Sequence, residues 1–407
     1  MIDDHGSPLT IVFASHTFLG SPFVVGSHHL AREMARLGHY VFHVSSPITP
    51  AHFLKIIDPT FRASFSTWAR CGVVVNSRLI NYVPFSLFPW PVVAALFKGT
   101  KINLSTYTFL QPIQKIVQIH GFRPDKIDLL LIDQPRLIGI ERYIRASILI
   151  YRATDLYHEI TGDIATEIAE KTIIKKADGL VGTSEPVVQR IREACPSKPW
   201  LLLENGVDYD HFINDGGPPL DYAAIPRPRA IYVGAIDGRL DLPSIRRLAE
   251  SLPSLHVVMI GPYTKAVRNF FTGVSNVHLI GSKNYSNLPP YLCHADVGLL
   301  PLSDHPANVG RSPIKLYEYA ASGLPVVAKE TPELLRRREP FLNLYSDGSH
   351  LPVIVQELLQ RRSDRDKIRA SARTHSWRNK VKVLLEFALD IGVRSDKIKF
   401  CERGKTR

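Results

Sequence analysis

Short apolar runs alternate with amphipathic segments along most of the chain. A run at residues 9–14 precedes a segment with helical spacing at 26–37, and Gly38 separates that segment from a second run at 40–44. These runs are continuously apolar, which is typical of parallel strands that are buried on both faces. Further runs lie at 129–132, 147–151, 179–181 and 200–203, with helical patterns at 160–176 and 186–192. The pattern predicts a doubly wound parallel α/β sheet.

The strand–helix alternation begins again after a turn-rich stretch at 215–228, which we interpret as an interdomain linker. Apolar runs at 230–233, 256–260, 277–280, 297–300 and 325–328 predict a second parallel sheet. We therefore expect an N-terminal α/β domain over 1–212, a second over 213–375, and a C-terminal helix and basic tail over 376–407 that crosses back to the first. Two such domains are expected to face each other across a cleft, with ligands at the carboxyl ends of the strands.

Composition and charge narrow the class of protein. The 407 residues are 45% hydrophobic and 22% charged, which is typical of a folded core-forming chain and excludes extensive disorder. Four cysteines without paired spacing exclude a disulfide scaffold and a zinc ribbon, and they favour a reducing compartment such as the cytoplasm.

The net charge of +12 is concentrated at the end of the chain, since residues 361–407 carry +9 and the first 360 carry +3. This placement, with no nucleic-acid motif beside it, favours an anionic membrane surface over nucleic acid as partner. A solvated helix with basic residues at its end explains the same charge equally well.

One apolar stretch, residues 79–97, is rich in aromatic side chains and lies between Arg78 and Lys98. Its three prolines exclude a membrane-spanning helix. Two interpretations stay open: the aromatic side chains insert at a lipid surface, or the stretch is a buried connection between elements.

The stretch from 308 to 327 contains the most specific candidate chemistry. Ser312 is a suitable N-cap and Pro313 suits the first helical position, so the amides of a helix N-terminus would lie beside Arg311 and Lys315. This combination suits an anion such as a diphosphate. Glu318 follows one turn later, where it can accept hydrogen bonds from the hydroxyls of a ribose. The alternative is an ordinary exposed ion pair between Lys315 and Glu318.

Several motifs occur in a characteristic order. Lys315 precedes Glu318 by three residues and a Gly-x-Pro-Val-Val sequence follows, while KADGLVGTS lies at 176–184, ENGVD at 204–208 and YVG at 232–234. With Gly38-His39 after the first helix and Ser376-Trp377 at the start of the last long helix, they cover about residues 10–390. They resemble the GT-B glycosyltransferases, particularly the family 4 type and the xanthan-type glucuronosyltransferases.

The resemblance implies a role for several residues toward a nucleotide-sugar donor. Lys315 would contact the diphosphate, assisted by Arg311, Ser312 and Arg239, and Glu318 would hold the ribose. Gly234 would let the backbone approach the phosphates, although a plain strand-end turn explains this glycine as well. Many retaining family 4 enzymes have a second Glu where this chain has Gly310, so retention of configuration is not implied.

On the acceptor side, Asp155 ends a Tyr-Arg-Ala-Thr-Asp sequence that is similar to the Tyr-Arg-Ala-Ser-Asp of the xanthan-type enzyme, whose Asp is the proposed base. Asp155 would therefore take the proton of the acceptor hydroxyl; the alternative is a cap on the helix near His158. Gly20 and His28 are expected to line the acceptor side. The Asp-x-Asp patterns at 208–210 and 364–366 are interpreted as structural, so no metal or other cofactor is expected.

The sequence thus predicts a transferase, of the hexosyl or glucuronosyl type, that moves a sugar from a UDP-linked donor to a hydroxyl of a lipid-linked or polysaccharide acceptor. The place predicted for it is the cytoplasmic face of the cell membrane, in exopolysaccharide synthesis. A UDP-N-acetylglucosamine 2-epimerase-like enzyme and a non-catalytic membrane- or polysaccharide-binding protein are the alternatives.

Overall fold

The structure, a computed structural model, describes residues 7–404 apart from 22, 98 and 362, and it describes the backbone alone for 394–404. It divides into two compact units, one formed by Met1–Glu204 with Lys380–Arg407 and the other by Asn205–Asn379. The division falls at 204/205 instead of the expected 212/213. The C-terminal helix belongs to the first unit from Lys380 onward.

The first unit is built on one eight-stranded sheet with the order β3-β4-β2-β1-β5-β6-β7-β8, in which only β3 is antiparallel to its neighbour. Its elements are β1 (Thr10–Ala14), α1 (Gly26–Arg36), β2 (Tyr40–Val44), α2 (Pro59–Ala69), β3 (Val73–Asn76), β4 (Leu79–Tyr82), α3 (Trp90–Phe97), α4 (Leu104–Tyr107), α5 (Ile113–Ile119), β5 (Ile127–Ile132), β6 (Ala146–Ala153), α6 (Tyr157–Thr161), α7 (Ile164–Lys176), β7 (Gly179–Gly182), α8 (Glu185–Ala194) and β8 (Trp200–Leu202). The central strand β1 is fully buried from Ile11 to Ala14, which explains its continuous apolar run.

The second unit contains a six-stranded parallel sheet with the order β11-β10-β9-β12-β13-β14. Its elements are α9 (Tyr209–Phe212), α10 (Leu220–Ala223), β9 (Arg229–Val233), α11 (Leu242–Ser251), β10 (His256–Ile260), α12 (Lys265–Phe270), β11 (Val277–Gly281), α13 (Leu288–Cys293), β12 (Val297–Leu300), α14 (Ile314–Ala321), β13 (Val326–Lys329), α15 (Pro332–Arg337), β14 (Leu342–Tyr345), α16 (Leu351–Arg361) and α17 (Arg365–Arg373), followed by α18 (Trp377–Gly404). The predicted α/β class with two parallel sheets is confirmed.

The C-terminal helix α18 packs on the first unit at β7. A Cβ atom on Gly179 would lie 2.3 Å from Ile391 Cδ1, so this glycine lets the helix approach the strand without displacing the Ile391 side chain. The side chains of the basic tail beyond residue 393 lie outside the described residues, and the tail's membrane role stays a prediction. Among the described helices, none combines the length and apolar character that crossing a bilayer requires.

The structure corrects two expectations about connections. The turn-rich stretch at 215–228 is not a linker between the units, because it lies within the second unit and contains the buried Tyr222 of α10. The helical pattern at 160–176 is two helices. Gly162 ends α6 in the left-handed region with φ of 62°, and Asp163 then caps α7 by accepting hydrogen bonds from two backbone amides.

The aromatic stretch at 79–97 forms β4 and α3, and most of its large side chains are buried. Tyr82, Phe85 and Trp90 are at most 7% exposed. The indole nitrogen of Trp90 donates to Asp163 Oδ2 at 2.9 Å, which satisfies its one polar atom inside the protein. The interpretation as a buried connection is therefore correct for these aromatics, and their insertion into lipid is excluded in this conformation.

Candidate active-site residues in the two units

In the first unit the strand order reverses between β1 and β5, because the chain leaves β1 toward β2 and β4 and then returns to the other side. Ligands of doubly wound sheets bind at the carboxyl ends of the strands at such a point. The residues that follow β1, β5 and β6 there are His16, Asp133 and Asp155. The topology therefore places the predicted base at the functional end of this sheet.

Asp155 lies at the end of a chain of hydroxyl contacts. Its Oδ2 is 3.1 Å from Thr154 Oγ1, Thr154 Oγ1 is 2.6 Å from the Tyr157 hydroxyl, and that hydroxyl donates to the backbone oxygen of Asp133 at 2.6 Å. Burial raises the pKa of Tyr157 well above its ordinary value, so the phenol keeps its proton. The Asp155 carboxylate and the Asp133 backbone oxygen at the two ends can only accept hydrogen bonds. The two hydroxyl protons of Thr154 and Tyr157 are therefore the only donors for three contacts. A proton on Asp155 would complete the chain.

The alternative role of Asp155 as the N-cap residue of the helix is not supported. The helix α6 begins at Tyr157, and its N-cap residue is Leu156. Asp155 is therefore held by the hydroxyl chain and is partly exposed. This arrangement suits a group that exchanges a proton with a bound hydroxyl.

A buried ion pair lies behind this group, and the sequence analysis assigned it no role. Asp133 and Arg152 are 0% and 1% exposed, and Asp133 Oδ2 lies 3.6 Å from Arg152 Nη1. Burial raises the pKa of Asp133 to about 7, against the opposing effect of Arg152. Asp155 contributes to the electrostatic environment of Arg152 as well. The signal in the sequence was an acid placed directly after a buried apolar strand.

Three histidines of the first unit have lowered pKa values. Burial lowers the pKa of His16 and of His28 to about 4 and that of His43 to about 3. The His28 side chain is fully buried, and its Nε2 donates to the backbone oxygen of Thr17 at 3.0 Å. In this conformation the His28 ring holds the β1–α1 loop through that bond, and its contact with an acceptor stays a prediction. Gly20 lies exposed in that loop, and its acceptor role stays a prediction.

The lowered histidine pKa values predict an acid-sensitive first unit. Since the unfolded histidines bind protons near pH 6.5 and the folded ones do not, we expect the free energy of unfolding to fall as pH drops from about 6.5 towards 4. Each histidine contributes up to about 1.4 kcal/mol per pH unit. Urea unfolding at pH 7 and pH 5 measures the slope. His28→Gln should reduce it, the exposed His350→Gln should not, and equal slopes in both variants would contradict the prediction.

In the second unit the strand order reverses between β9 and β12. Gly234 follows β9, and its N–H donates to the oxygen of Ile260 at 2.9 Å. A Cβ atom on Gly261, after β10, would lie 1.8 Å from the oxygen of Gly234, so the two strand ends approach as closely as backbone allows. Packing alone requires Gly261, which the sequence analysis did not single out. The phosphate role of Gly234 stays a prediction beside this structural one.

The helix α14 begins later than expected. Its N-cap residue is Pro313, in an extended conformation with ψ of 114°, so Ser312 is not the cap. The Ser312 hydroxyl instead accepts hydrogen bonds from Arg337 Nη2 at 2.8 Å and from the backbone N–H of Asn205 at 3.1 Å. Ser312 does not cap the helix because its hydroxyl is already bound by Arg337. Pro313 can take the N-cap position because proline has no amide hydrogen that needs a partner.

Lys315 and Glu318 form an ion pair with a distance of 2.6 Å between Nζ and Oε2. It is not the ordinary exposed pair of the alternative interpretation, because the Glu318 side chain is 1% exposed while Lys315 is 26% exposed. The adjacent Tyr319 hydroxyl accepts the N–H of Val233 at 2.8 Å. This bond attaches α14 to the carboxyl end of β9 directly before Gly234, so the predicted donor residues share one end of the sheet.

The two predicted helper arginines are held by neighbours. Asp237 binds Arg239 through two contacts of 2.9 and 2.6 Å, and this arginine lowers the pKa of Asp237. Arg311 Nη1 donates to Asn308 Oδ1 at 3.2 Å, and Asn308 Nδ2 donates to the backbone oxygen of residue 239 at 2.9 Å. The carboxylate of Asp237 offsets much of the Arg239 charge, as Glu318 does for Lys315, so the ion pairs do not rank these two cations as ligands of a diphosphate.

Within the described part of the chain, no three His, Cys, Asp or Glu side chains are grouped so that they could hold a metal ion. The second Asp-x-Asp pattern has a structural role, because Asp364 caps α17 by accepting from two backbone amides. Asp208, in the first pattern, is the N-cap residue of α9 without a side-chain cap bond. The expectation of a metal-independent reaction stays a prediction.

A cavity of about 540 Å³ lies at the other end of the second sheet, lined by Arg227, Asp296 and Arg365 among others. Its arginines are already engaged, since Arg227 pairs with Asp296 and Arg365 donates to the backbone oxygen of Cys293. Residue 227 lies two positions before β9 and residue 296 directly before β12, at the amino ends of these strands. This position is opposite to the end where doubly wound sheets bind ligands.

Comparison with known proteins agrees with this geometry. Residues 227–353 match the family described as glycosyl transferases group 1. The sucrose-phosphate synthase of Thermosynechococcus elongatus superposes with a TM-score of 0.61 at 16% identity, covering 96% of this chain and 99% of that one. The chain has the GT-B fold, and the match to the group 1 glycosyltransferases lies within its second unit. The resemblance to GT-B enzymes is thereby confirmed, and the narrower resemblance to the xanthan type stays a prediction.

Two further relatives give context for the group 1 domain. The Anabaena protein HepE, solved with UDP and glucose, superposes with a TM-score of 0.58 at 13% identity over 96% of this chain and 99% of its own. TuaH of Bacillus subtilis strain 168, provisionally named a teichuronic acid biosynthesis glycosyltransferase, is 27% identical over 224 residues. That match covers 51% of this chain and 56% of TuaH, so it spans about half of the relative's length.

Proposed function

We propose that this protein transfers a sugar from a UDP-linked donor to a hydroxyl of a lipid-linked or polysaccharide acceptor. The observation that carries the proposal is the buried Glu318 paired with Lys315 at the carboxyl end of β9, inside the group 1 domain. A carboxylate shielded in this way suits the two hydroxyls of a ribose, and the adjacent ammonium suits a diphosphate. The complex of HepE with UDP and glucose and the name of TuaH support the donor class and the polymer.

In the proposed reaction Asp155 removes the proton of the acceptor hydroxyl, and the acceptor oxygen forms a bond to the anomeric carbon of the sugar. The bond between that carbon and the diphosphate oxygen breaks, and UDP leaves with the electron pair. Lys315 and Arg311 stabilise the charge that develops on the diphosphate, a role that a metal ion has in other transferases. Inversion of configuration follows from a single displacement of this type.

The place proposed for the reaction is the cytoplasmic face of the cell membrane, with the protein bound peripherally. The positive charge of the C-terminal tail supports peripheral attachment. A lipid-linked or growing polysaccharide acceptor would be presented at this surface.

A donor panel with and without membrane lipid extract tests the proposal. Purified protein is incubated with labelled UDP-glucose, UDP-galactose, UDP-glucuronic acid and UDP-N-acetylglucosamine in the presence of a chelator. We expect release of UDP and labelled sugar in the lipid phase for one donor, and only when extract is present. A free epimer formed without extract would overturn the proposal in favour of an epimerase, and neither turnover nor UDP binding would favour a non-catalytic protein.

A further inference from the structure

A second basic region lies in the first unit. It is not visible in the net charge of the first 360 residues, which is only +3. Residues 34–124 contain nine Lys and Arg but a single acid, Asp58. That acid is occupied locally, since its Oδ1 accepts the N–H of Thr60 at 2.7 Å and that of Phe61 at 3.3 Å to cap α2. Two of the nine pair with acids just outside this range, Arg36 with Glu33 and Arg123 with Asp125, so about a quarter of the chain keeps an excess of positive charge.

Exposed apolar side chains concentrate in the same region. Among the described residues, 24 large hydrophobic side chains are exposed and 12 of them lie between 34 and 124. The densest group, which we term the apolar knuckle, consists of Phe53, Leu54, Ile56 and Ile57, with exposed fractions of 42%, 92%, 56% and 80%. Clustered exposure of this kind marks an interaction surface, whereas single exposed residues need no explanation.

Ring contacts and a hydrogen bond hold the residues of the knuckle in place. The ring of Phe53 contacts those of Phe61, Phe65 and Phe85 at centroid distances between 5.5 and 6.1 Å. Arg62 Nε donates to the backbone oxygen of Ile56 at 2.9 Å, which closes the turn between the 3-10 segment Pro50–Lys55 and α2. Leu54 and Ile57 are therefore held outward by ordered structure.

We infer that the apolar knuckle docks onto an anionic lipid surface. Leu54 and Ile57 would enter the interface, and the exposed Lys55, Arg62 and Arg70 around them would contact the headgroups. The charge selects the occupant, because a second copy of this chain would bring two strongly basic surfaces together. A soluble acidic protein would match the positive charge. It would not explain why the apolar side chains of Leu54 and Ile57, which are 92% and 80% exposed, lie beside that charge.

This surface is separate from the basic C-terminal helix. The knuckle and α2 lead into β3 at one edge of the sheet, while α18 packs on β7 near the other edge. The inference names the surface behind the peripheral attachment proposed above, and it does not depend on glycosyl transfer. Failure of the membrane test and failure of the donor test are therefore distinguishable.

Flotation of the full chain with vesicles tests the inference. Equimolar phosphatidylcholine and phosphatidylglycerol are compared with phosphatidylcholine alone. We expect the parent to float only with the anionic vesicles, the double variant L54S/I57S to lose about tenfold in partition coefficient, and Lys55→Gln to lose about fivefold. The matched control is Leu220→Ser, since Leu220 is 93% exposed in the second unit and should have no effect.

Three outcomes would overturn the inference. These are equal flotation of L54S/I57S and the parent, an equal loss in Leu220→Ser, or binding that does not depend on anionic lipid. Sedimentation without vesicles tests the alternative that a second copy of this chain binds the knuckle. If L54S/I57S changes the oligomeric state and leaves flotation unchanged, the knuckle is a contact between copies. Removal of residues 394–407 measures the contribution of the basic tail to flotation independently. If the knuckle docks, L54S/I57S should still reduce flotation in the chain that lacks these residues.

Discussion

Asp155→Asn is expected to lower kcat about 1000-fold, the range in which general-base catalysis contributes. The amide keeps the size and the hydrogen bond to Thr154 but cannot take the acceptor proton. UDP affinity should stay within about twofold, because Asp155 belongs to the first unit and the proposed diphosphate residues to the second. UDP release with the donor identified by the panel measures turnover, and calorimetry measures UDP binding.

Asp125→Asn provides the matched control for this variant. Asp125 also belongs to the first unit but is 65% exposed and paired only with Arg123, so its loss should leave kcat unchanged. Turnover of Asp155→Asn at the parent rate would remove Asp155 from the mechanism and would leave the proposed donor residues of the second unit unaffected. A weaker UDP affinity in Asp155→Asn would show that the residue acts in binding and not in proton transfer.

Lys315→Gln is expected to weaken UDP binding about 30-fold, since a hydrogen bond to a charged group contributes about 1.5–3 kcal/mol. The same variant should lower the free energy of unfolding by about 3 kcal/mol, because it leaves the buried Glu318 carboxylate without its cation. The double variant K315Q/E318Q should regain most of this stability and still bind UDP weakly. Calorimetry and urea unfolding measure the two effects separately.

Lys171→Gln is the control, because Lys171 and Glu167 form a pair of the same 2.6 Å length on the surface of α7. Loss of that exposed pair should change stability by less than about 1 kcal/mol and leave UDP binding unchanged. If Lys315→Gln lowered stability but bound UDP as the parent does, the pair would be purely structural. The donor role of α14 would then be wrong.

Much of the fold could be predicted because burial on both faces of a parallel sheet requires uninterrupted apolar strands. The runs at 40–44, 256–260 and 297–300 match β2, β10 and β12 residue for residue. Elements with a weaker apolar signal were missed, as β3 and β14 show. The antiparallel edge strand β3 exposes Val74 and Val75, so its composition gives no sign of a buried strand.

The candidate site could be predicted only in part. Motif spacing indicated Lys315, Glu318 and Asp155 as candidates, because neighbouring residues on one helix or at one strand end stay neighbours in any fold. Their roles stay predictions. The N-cap role of Ser312 was wrong, since its hydroxyl is bound by Arg337, 25 residues away. The bond of His28 to Thr17 was likewise not visible in the sequence. Asp133 was missed because nothing local shows that Arg152 of the next strand lies against it.

The sequence by itself determined the two parallel sheets, the cation and carboxylate on one helix and the acid after β6, because these features depend on short-range periodicity and spacing. Only the tertiary structure decided which polar groups are buried and which apolar ones are exposed. Burial makes Glu318 a shielded acceptor and raises the pKa of Asp133, while exposure makes the knuckle an interaction surface. The physical reason is that solvation depends on contacts between residues that are distant in sequence.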